Sequence, residues 1–307
     1  MAGSFTVRPS PWEEDRLLWQ VYLDATLEQM RRVGQLVAPG PLSYETYPLR
    51  FLRRHLWENG YTYAALSGRK PVAYARCIRR DSAWELTEFF THPSVQGRGA
   101  GQAVLDACLE HARGAEQRLV VASVDPPALA RYLRAGMVSR TVIHSLESPE
   151  PGPPAELGDL VAEHATLADL PTLGALDAGA LGYARAAEHH YWLAAGRTCL
   201  LLRRGGAAVG YVYVGPRAGC GPGVSLHATD GAALAALALA GGATTAGHRP
   251  LPDLSPRRFF AVPGENLAAL QALLTGGARL IGLPNLLMTA QPLPGADRYL
   301  SFGPYVL

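Results

Sequence analysis

The run Gln96-Gly97-Arg98-Gly99-Ala100-Gly101 places three glycines in six residues. Before it, Leu86 to Thr91 reads as a strand that stops at His92-Pro93, because proline cannot donate to a sheet ladder. After it, Val104, Leu105, Cys108, Leu109 and Ala112 recur at helical spacing, so a helix begins near Gly101. Glycines at such a junction let the backbone turn tightly and leave no side chain between its amides and a ligand. The first N–H groups of a helix lack partners within it, and the helix dipole favours negative charge there. A phosphate or pyrophosphate suits both. The run has no Gly-Lys-Ser/Thr ending and not the spacing of a dinucleotide fingerprint, so the common nucleotide loops do not describe it. By its glycines alone it reads first as an ordinary strand-to-helix turn.

Further residues extend the pattern. The stretch resembles motif A of the GNAT acetyltransferases, Gln/Arg-x-x-Gly-x-Gly/Ala after a strand, with Gln96, Gly99 and Gly101 in its positions. A second resemblance lies downstream, where members show Asn, then Ala three later, Tyr seven later and Gly eleven later; here stand Asp125, Ala128, Tyr132 and Gly136. Only the Asn is changed. A strand candidate, Arg118 to Ala122, lies between the two motifs, as the family order requires.

The resemblance implies acetyl-CoA as co-substrate and an amine as acceptor. The residues it assigns to the co-substrate are Phe89, Phe90 and Thr91 on the strand, Gln96, Gly97, Arg98, Gly99, Ala100 and Gly101 in the loop, and Asp125. In that family the loop amides hold the pyrophosphate and a backbone N–H near Phe89 polarises the thioester carbonyl. Tyr132 stands where members place the hydroxyl that protonates the CoA sulfur. For the base the candidates are Glu85 and Glu88, or ordered water. Strand alternation puts the two carboxylates on opposite faces, with Glu85 on that of Phe89. His92 reads as structural.

These groups need elements to position them. Phe5 to Val7 reads as a strand, and Ser10-Pro11-Trp12-Glu13 as a capping box for a helix running to about Val37. Its buried side would carry Leu17, Leu18, Val21, Tyr22 and Leu27, and a break at Pro39 to Pro41 ends it. A second helix is expected from Tyr44 to Trp57, kinked or started by Pro48. Tyr61 to Leu66 and Val72 to Ile78 read as a hairpin across Ser67-Gly68-Arg69-Lys70. After the organising strand and its helix come Arg118 to Ala122, a helix from Pro126 to Ala135, and a strand around Val138 to His144. The fold class is mixed α/β, tandem GNAT domains in which each sheet is largely antiparallel and flanked by helices.

The first domain spans residues 1–148. Residues 149–159 hold Pro149, Pro151, Pro153 and Pro154, a composition that behaves as a stiff spacer. The plan then restarts over 160–307: a strand at Leu160 to Ala162, Thr166 with Asp169 as a helix start, and a hairpin of Cys199 to Leu202 and Ala208 to Val214 across Gly205-Gly206. Asn266, Ala269 and Gly277 repeat three of the four downstream positions 141 residues later, which implies a duplicated domain. Leu273 replaces the tyrosine, and Asp230, not a glycine loop, precedes the Ala232 to Ala240 helix. A carboxylate there would cap the helix itself and repel a phosphate, so the second half reads as a degenerate copy that no longer holds CoA.

The 307 residues suffice for about two domains. A net charge of +2 and 18% charged residues argue against nucleic acid or a membrane surface as partner, and Arg50, Arg53 and Arg54, like Arg76, Arg79 and Arg80, read as solvated faces. Four widely spaced cysteines suggest neither a disulfide framework nor a metal site, and Cys108 reads as core. His189-His190 lacks metal spacing and reads as helix surface. Early acidic residues, Glu13 to Asp15, interrupt any signal pattern, and the longest apolar run, Ala232 to Ala240, is short of a membrane span. The expectation is a cytoplasmic N-acetyltransferase, monomer or homodimer, acting on a small molecule or peptide amine. The rival readings are an acyl-CoA-binding sensor and an acetyltransferase similar to mycothiol synthases, whose active half is the C-terminal one.

Overall fold

The computed structural model describes residues 5–34, 43–45, 50–215, 219–245 and 257–303. The chain divides into two compact units, residues 1–120 with 125–135, and 121–124 with 136–307.

In the first unit, β1 (Thr6–Pro9), β2 (Gly60–Ser67), β3 (Lys70–Arg80) and β4 (Ala83–Thr91) form an antiparallel run, to which β5 (Gln117–Ala122) adds in parallel. The β2–β3 hairpin closes at Ser67↔Lys70 over Gly68, whose φ of +62° suits glycine. Helices α1 (Asp15–Arg32) and α2 (Arg50–Asn59) lie between β1 and β2 in sequence, α3 (Ala100–Leu109) follows β4, and α4 (Pro126–Arg134) follows β5. Leu18, Val21, Ala64, Leu66 and Tyr74 bury together with Tyr22 and Phe90 on the α1 side of the sheet. On the other side, Cys77 reaches the carbonyl of Cys108 on α3, which is core as expected.

The capping box expected at Ser10 is absent. A short 3-10 turn, Trp12–Glu14, leads into α1 with no side-chain cap, and Ser10 Oγ donates instead to Glu14 Oε2 at 2.8 Å. Asp15 is buried, while Leu17, expected on the buried side of α1, is exposed. Helix α1 ends at Arg32 with Val33 as its C-cap, short of the expected end near Val37, while the expected break at Pro39 to Pro41 and the kink at Pro48 fall outside the described residues.

The second unit holds a five-stranded sheet and a further set of strands paired around β6 (Val138–Ser148). Strand β6 pairs antiparallel with β11 (Arg258–Pro263) on one edge and with β12 (Arg279–Leu280) and β13 (Asn285–Thr289) on the other. The five-stranded sheet runs β7 (Leu160–His164), β8 (Thr198–Arg204), β9 (Ala207–Val214), β10 (Cys220–Ser225) and β14 (Tyr299–Leu300), all antiparallel. Its helices are α5 (Leu170–Leu181), α6 (Ala186–Ala194), α7 (Gly231–Leu239) and α8 (Leu267–Thr275). At the expected helix start, Thr166 and Asp169 form a capping box ahead of α5. The core gathers Leu146, Leu200, Leu202, Val212, Leu234 and Leu273 among others.

The boundary between units differs from the one read at residue 148. Strand β6 takes its partners β11, β12 and β13 from later in the chain, so it counts with the second unit. The proline-rich stretch is packed rather than free: Gly152 N donates to Leu239 O, Ala155 N to Ala243 O, and Ala155 is buried. Among the described residues no helix is long and apolar enough to cross a membrane.

Candidate active site

Strand β4 changes character at Thr87. The ladder with β3 pairs Arg76 with Glu88 and Cys77 with Leu86, leaving Thr87 as the extra residue of a bulge. Its hydroxyl donates to the Arg76 carbonyl at 3.1 Å, which fixes the bulge from the side chain. The parallel ladder with β5 ends at the same place, running from Ala83↔Gln117 to Leu86↔Val120. Beyond it, Glu88 to Thr91 are paired with β3, and the ladder to β5 has ended.

One extra residue shifts the alternation. Glu85 stands opposite Ile78 and Glu88 opposite Arg76, and those two partners are two apart on an unbroken strand. Glu85 and Glu88 therefore share a face, contrary to the expectation of opposite faces, and Phe89 lies on the other. The bulge is the reason.

The loop after β4 turns at Gly97 (φ +77°) and Gly99 (φ +94°), both with open space around a built Cβ. Gly99 precedes α3 and supplies no side-chain cap, so the first turn of α3 keeps its amides for another partner. Gly101 is required by close packing: a Cβ there would meet Thr91 Oγ1 at 2.6 Å and the Phe89 ring at 3.4 Å. Gln96 braces the loop, donating to Thr91 O at 3.2 Å and accepting from Arg32 at 3.0 Å. His92 is structural here, its ring nitrogen accepting from Ser94 N. Arg98 is exposed and Ala100 buried. The exposed amide-rich loop contains no carboxylate and fits a pyrophosphate.

Tyr132 on α4 packs edge-on to Phe89, ring centroids 6.1 Å apart. Burial, with the Asp125 carboxylate adding to it, holds the Tyr132 hydroxyl protonated well above its usual range. Asp125 accepts from Ala128 N at 3.3 Å, which caps α4. The substitution of Asp for Asn thus keeps the capping bond. Phe89, Thr91, Gly101 and Tyr132 meet on one face of β4, whereas Phe90 turns to the other and packs on Tyr22.

The two carboxylates sit beneath that site in ion pairs. Glu85 accepts from Arg80 at 2.5 Å. Glu88 is paired with Arg53 and, at 2.7 Å, with Arg76. The same two arginines hold Asp15 at 2.8 and 2.7 Å, and Tyr44 donates to it. Burial alone would raise the Asp15 carboxyl, but the two guanidiniums outweigh it and hold it below its usual range. Arg53, Arg76 and Arg80 are buried, not on solvated faces as their sequence clusters suggested, while Arg50, Arg54 and Arg79 are exposed. Nothing in the sequence around Asp15 marks it as their common partner.

The second unit repeats the capping device without the loop. Asn266 accepts from Ala269 N at 3.1 Å, and Gly277, like Gly136, has positive φ at the end of its helix. Leu273, in the tyrosine position, is fully buried. Asp230 does not cap α7 as expected; it takes both N–H arms of Arg204, at 2.7 and 3.1 Å. An ion pair occupies the side chain that capping would have used.

A second buried network surrounds Asp177, which accepts from Arg185 at 2.8 and 2.9 Å, from His189 at 2.8 Å and from Tyr211 at 2.5 Å. His189 is thus interior rather than helix surface, and only His190 is exposed. No cluster of three or more metal-ligating side chains occurs among the described residues.

The sequence profile of the acetyltransferase (GNAT) family matches residues 27–137. No curated protein sequence matches the chain. Among solved structures, a Pyrococcus horikoshii protein, provisionally described as an acetyltransferase, superposes with a TM-score of 0.74 at 17% identity, covering 100% of this chain and 97% of its own. A GCN5-related N-acetyltransferase from Sphaerobacter thermophilus gives 0.59 at 15% identity, covering 94% and 96%. One from Anabaena variabilis gives 0.55 at 11% identity, covering 93% and 72%. At these identities the likeness is one of fold.

Proposed function

Since this chain is an acyltransferase with a GNAT-family acetyltransferase domain at residues 27–137, we propose that it moves an acetyl group from acetyl-CoA to a primary amine of a small molecule or peptide. Acetyl-CoA supplies the activated acyl group. The amides of Gly97 to Gly101 bind its pyrophosphate, and a β4 backbone N–H near Phe89 donates to the carbonyl oxygen as negative charge grows there. The amine nitrogen attacks the carbonyl carbon directly, the C–N bond forms as the C–S bond breaks, and Tyr132 protonates the departing sulfur. No covalent acyl-enzyme is involved.

The amine must arrive neutral. Glu85 and Glu88 lie on the face away from Phe89 and are held by arginines, which favours ordered water as the group that takes the amine proton. The two carboxylates then position the strand. The second unit, in this reading, is a tandem GNAT-like domain without a CoA site that shapes acceptor binding or a dimer contact. Its Asp230–Arg204 pair at the start of α7 supports the loss of phosphate binding there.

The observation that carries the proposal is the convergence of Phe89, Thr91, Gly101 and Tyr132 on one face of β4, where its ladder to β5 has ended. Isothermal titration of the whole chain with acetyl-CoA tests it. One site per chain, lost on a bulky replacement at Gly99, is the expected result, and an amine screen then follows. Two sites would assign CoA to the second unit as well, and no binding would overturn the proposal.

A further inference from the structure

Six described arginines are buried: Arg53, Arg76, Arg80, Arg185, Arg197 and Arg258. Four of them have a carboxylate: Arg53 and Arg76 share Asp15 and Glu88, Arg80 has Glu85, and Arg185 has Asp177. That is the rule for a guanidinium taken out of water, because its desolvation must be offset by an opposite charge. Arg197 and Arg258 break the rule. Neither has a carboxylate within ion-pair distance among the described residues, and the backbone brings them together: Arg197 donates to the carbonyl of Gly219, and Gly219 bridges to Phe259, the residue after Arg258.

Arg197 is bound on one arm only. Its Nη2 donates to the carbonyls of Gly219 and Gly221 at 3.0 and 2.7 Å, while Nε and Nη1 are buried without a hydrogen-bond partner. Arg258 Nε is likewise buried without one. A third kind of donor is close by: the indole N–H of Trp192 is buried and unpartnered, and its ring packs on Tyr213 and Phe302, the two rings that the Arg197 guanidinium also faces. Carbonyls and ring faces satisfy part of a cation's demand; they leave its net charge buried. Burial drives the Arg197 pKa down to about 10, the direction expected of a cation that lacks its anion. Arg185, in the same unit but bonded to Asp177, is shifted the opposite way.

We propose that Arg197 and Arg258, with the indole N–H of Trp192, form a binding site in the second unit for a small oxyanion, a carboxylate or a phosphate. The donor set is all N–H, and the thiol of Cys220, next to Gly219 and Gly221 whose carbonyls hold Arg197, is kept neutral because burial pushes it up to about 12, so it does not compete with an anionic ligand. The site is independent of acetyl transfer.

The test is thermal melting and isothermal titration of the full chain with inorganic phosphate and, separately, acetate, at constant ionic strength so that general screening does not change. A saturable rise in Tm is expected with one of the two anions, and which one tells phosphate from carboxylate. Because phosphate can also occupy the loop of the first unit, the signal must survive Gly101→Leu. Arg197→Met should weaken it about tenfold or more, the loss expected for a charge-assisted hydrogen bond, and Arg258→Met should do the same if Arg197→Met does not fold. Absence of saturation in the unsubstituted chain, persistence in both Met variants, or loss with Gly101→Leu would each overturn the proposal.

Discussion

Arg76 and Glu88 stand opposite each other across the β3–β4 ladder and are joined by an ion pair of 2.7 Å. With Arg53 and Asp15 they make a buried set of two cations and two anions. A neutral residue at 88 would leave one guanidinium charge uncompensated, a loss of about 3–5 kcal/mol for a buried pair broken on one side. Glu88→Gln should therefore lower Tm strongly, while the acidic limb of the pH–rate profile stays where it is. A large fall in turnover at unchanged Tm, with the acidic limb displaced, would make Glu88 the proton acceptor instead.

Tyr132 makes the complementary case. Its ring packs on Phe89 and its hydroxyl stays protonated at neutral pH, so Tyr132→Phe keeps the packing and removes only the proton donor. Turnover should fall about 100-fold or more, within the usual range for a general acid, while acetyl-CoA affinity in titration is preserved. Since the raised pKa keeps the acid form present past the usual tyrosine range, no loss of rate from this group is expected up to about pH 10. A basic limb near neutrality would have to belong to another residue.

Much of this arrangement is legible in the residues, and the gaps have identifiable causes. The glycine loop, the helix behind it and the Asp125 to Gly136 motif depend on local backbone demands, which sequence carries directly. The bulge at Thr87 does not: period-2 alternation is the only rule available for a strand, and one inserted residue moved Glu88 to the face of Glu85. Arg53 and Arg76 read as surface because their partner, Asp15, lies 38 and 61 positions away. The same holds for His189, whose interior role depends on Asp177 and Tyr213 on other elements. Asp230 has the residue type of a cap, and only the approach of Arg204 from β8 decides otherwise.

Gly101 offers a test of packing against ligand approach. A methyl group added there meets Thr91 Oγ1 at 2.6 Å, and a β-branched side chain on a strand has little freedom to turn away. Gly101→Ala should destabilise by about 1–3 kcal/mol, as overpacking does, and should weaken acetyl-CoA binding. The double variant Thr91→Ala/Gly101→Ala removes the clashing oxygen and should recover both. Recovery of Tm without recovery of binding would show that the glycine is there for the ligand and not for Thr91.

The Asp177 network predicts how the second unit responds to acid. Burial by itself would raise the Asp177 carboxyl, but Arg185 and the hydrogen bonds from His189 and Arg185 overcome it and hold the group well below the carboxylate range. A carboxyl depressed in the folded state contributes stability that is fully present above its unfolded pKa, near 3.8, and is lost as pH falls toward its folded one. Tm should thus fall steeply below about pH 4. Asp177→Asn removes this titration and leaves Arg185 and His189 without their anion, so it should lower Tm at pH 7, by the equivalent of about 3–5 kcal/mol, and make the decline below pH 4 shallower. Melting curves of the two proteins between pH 7 and the acid limit decide it. Parallel curves would mean that Asp177 titrates alike folded and unfolded, and that the arginine and histidine around it do not set its charge.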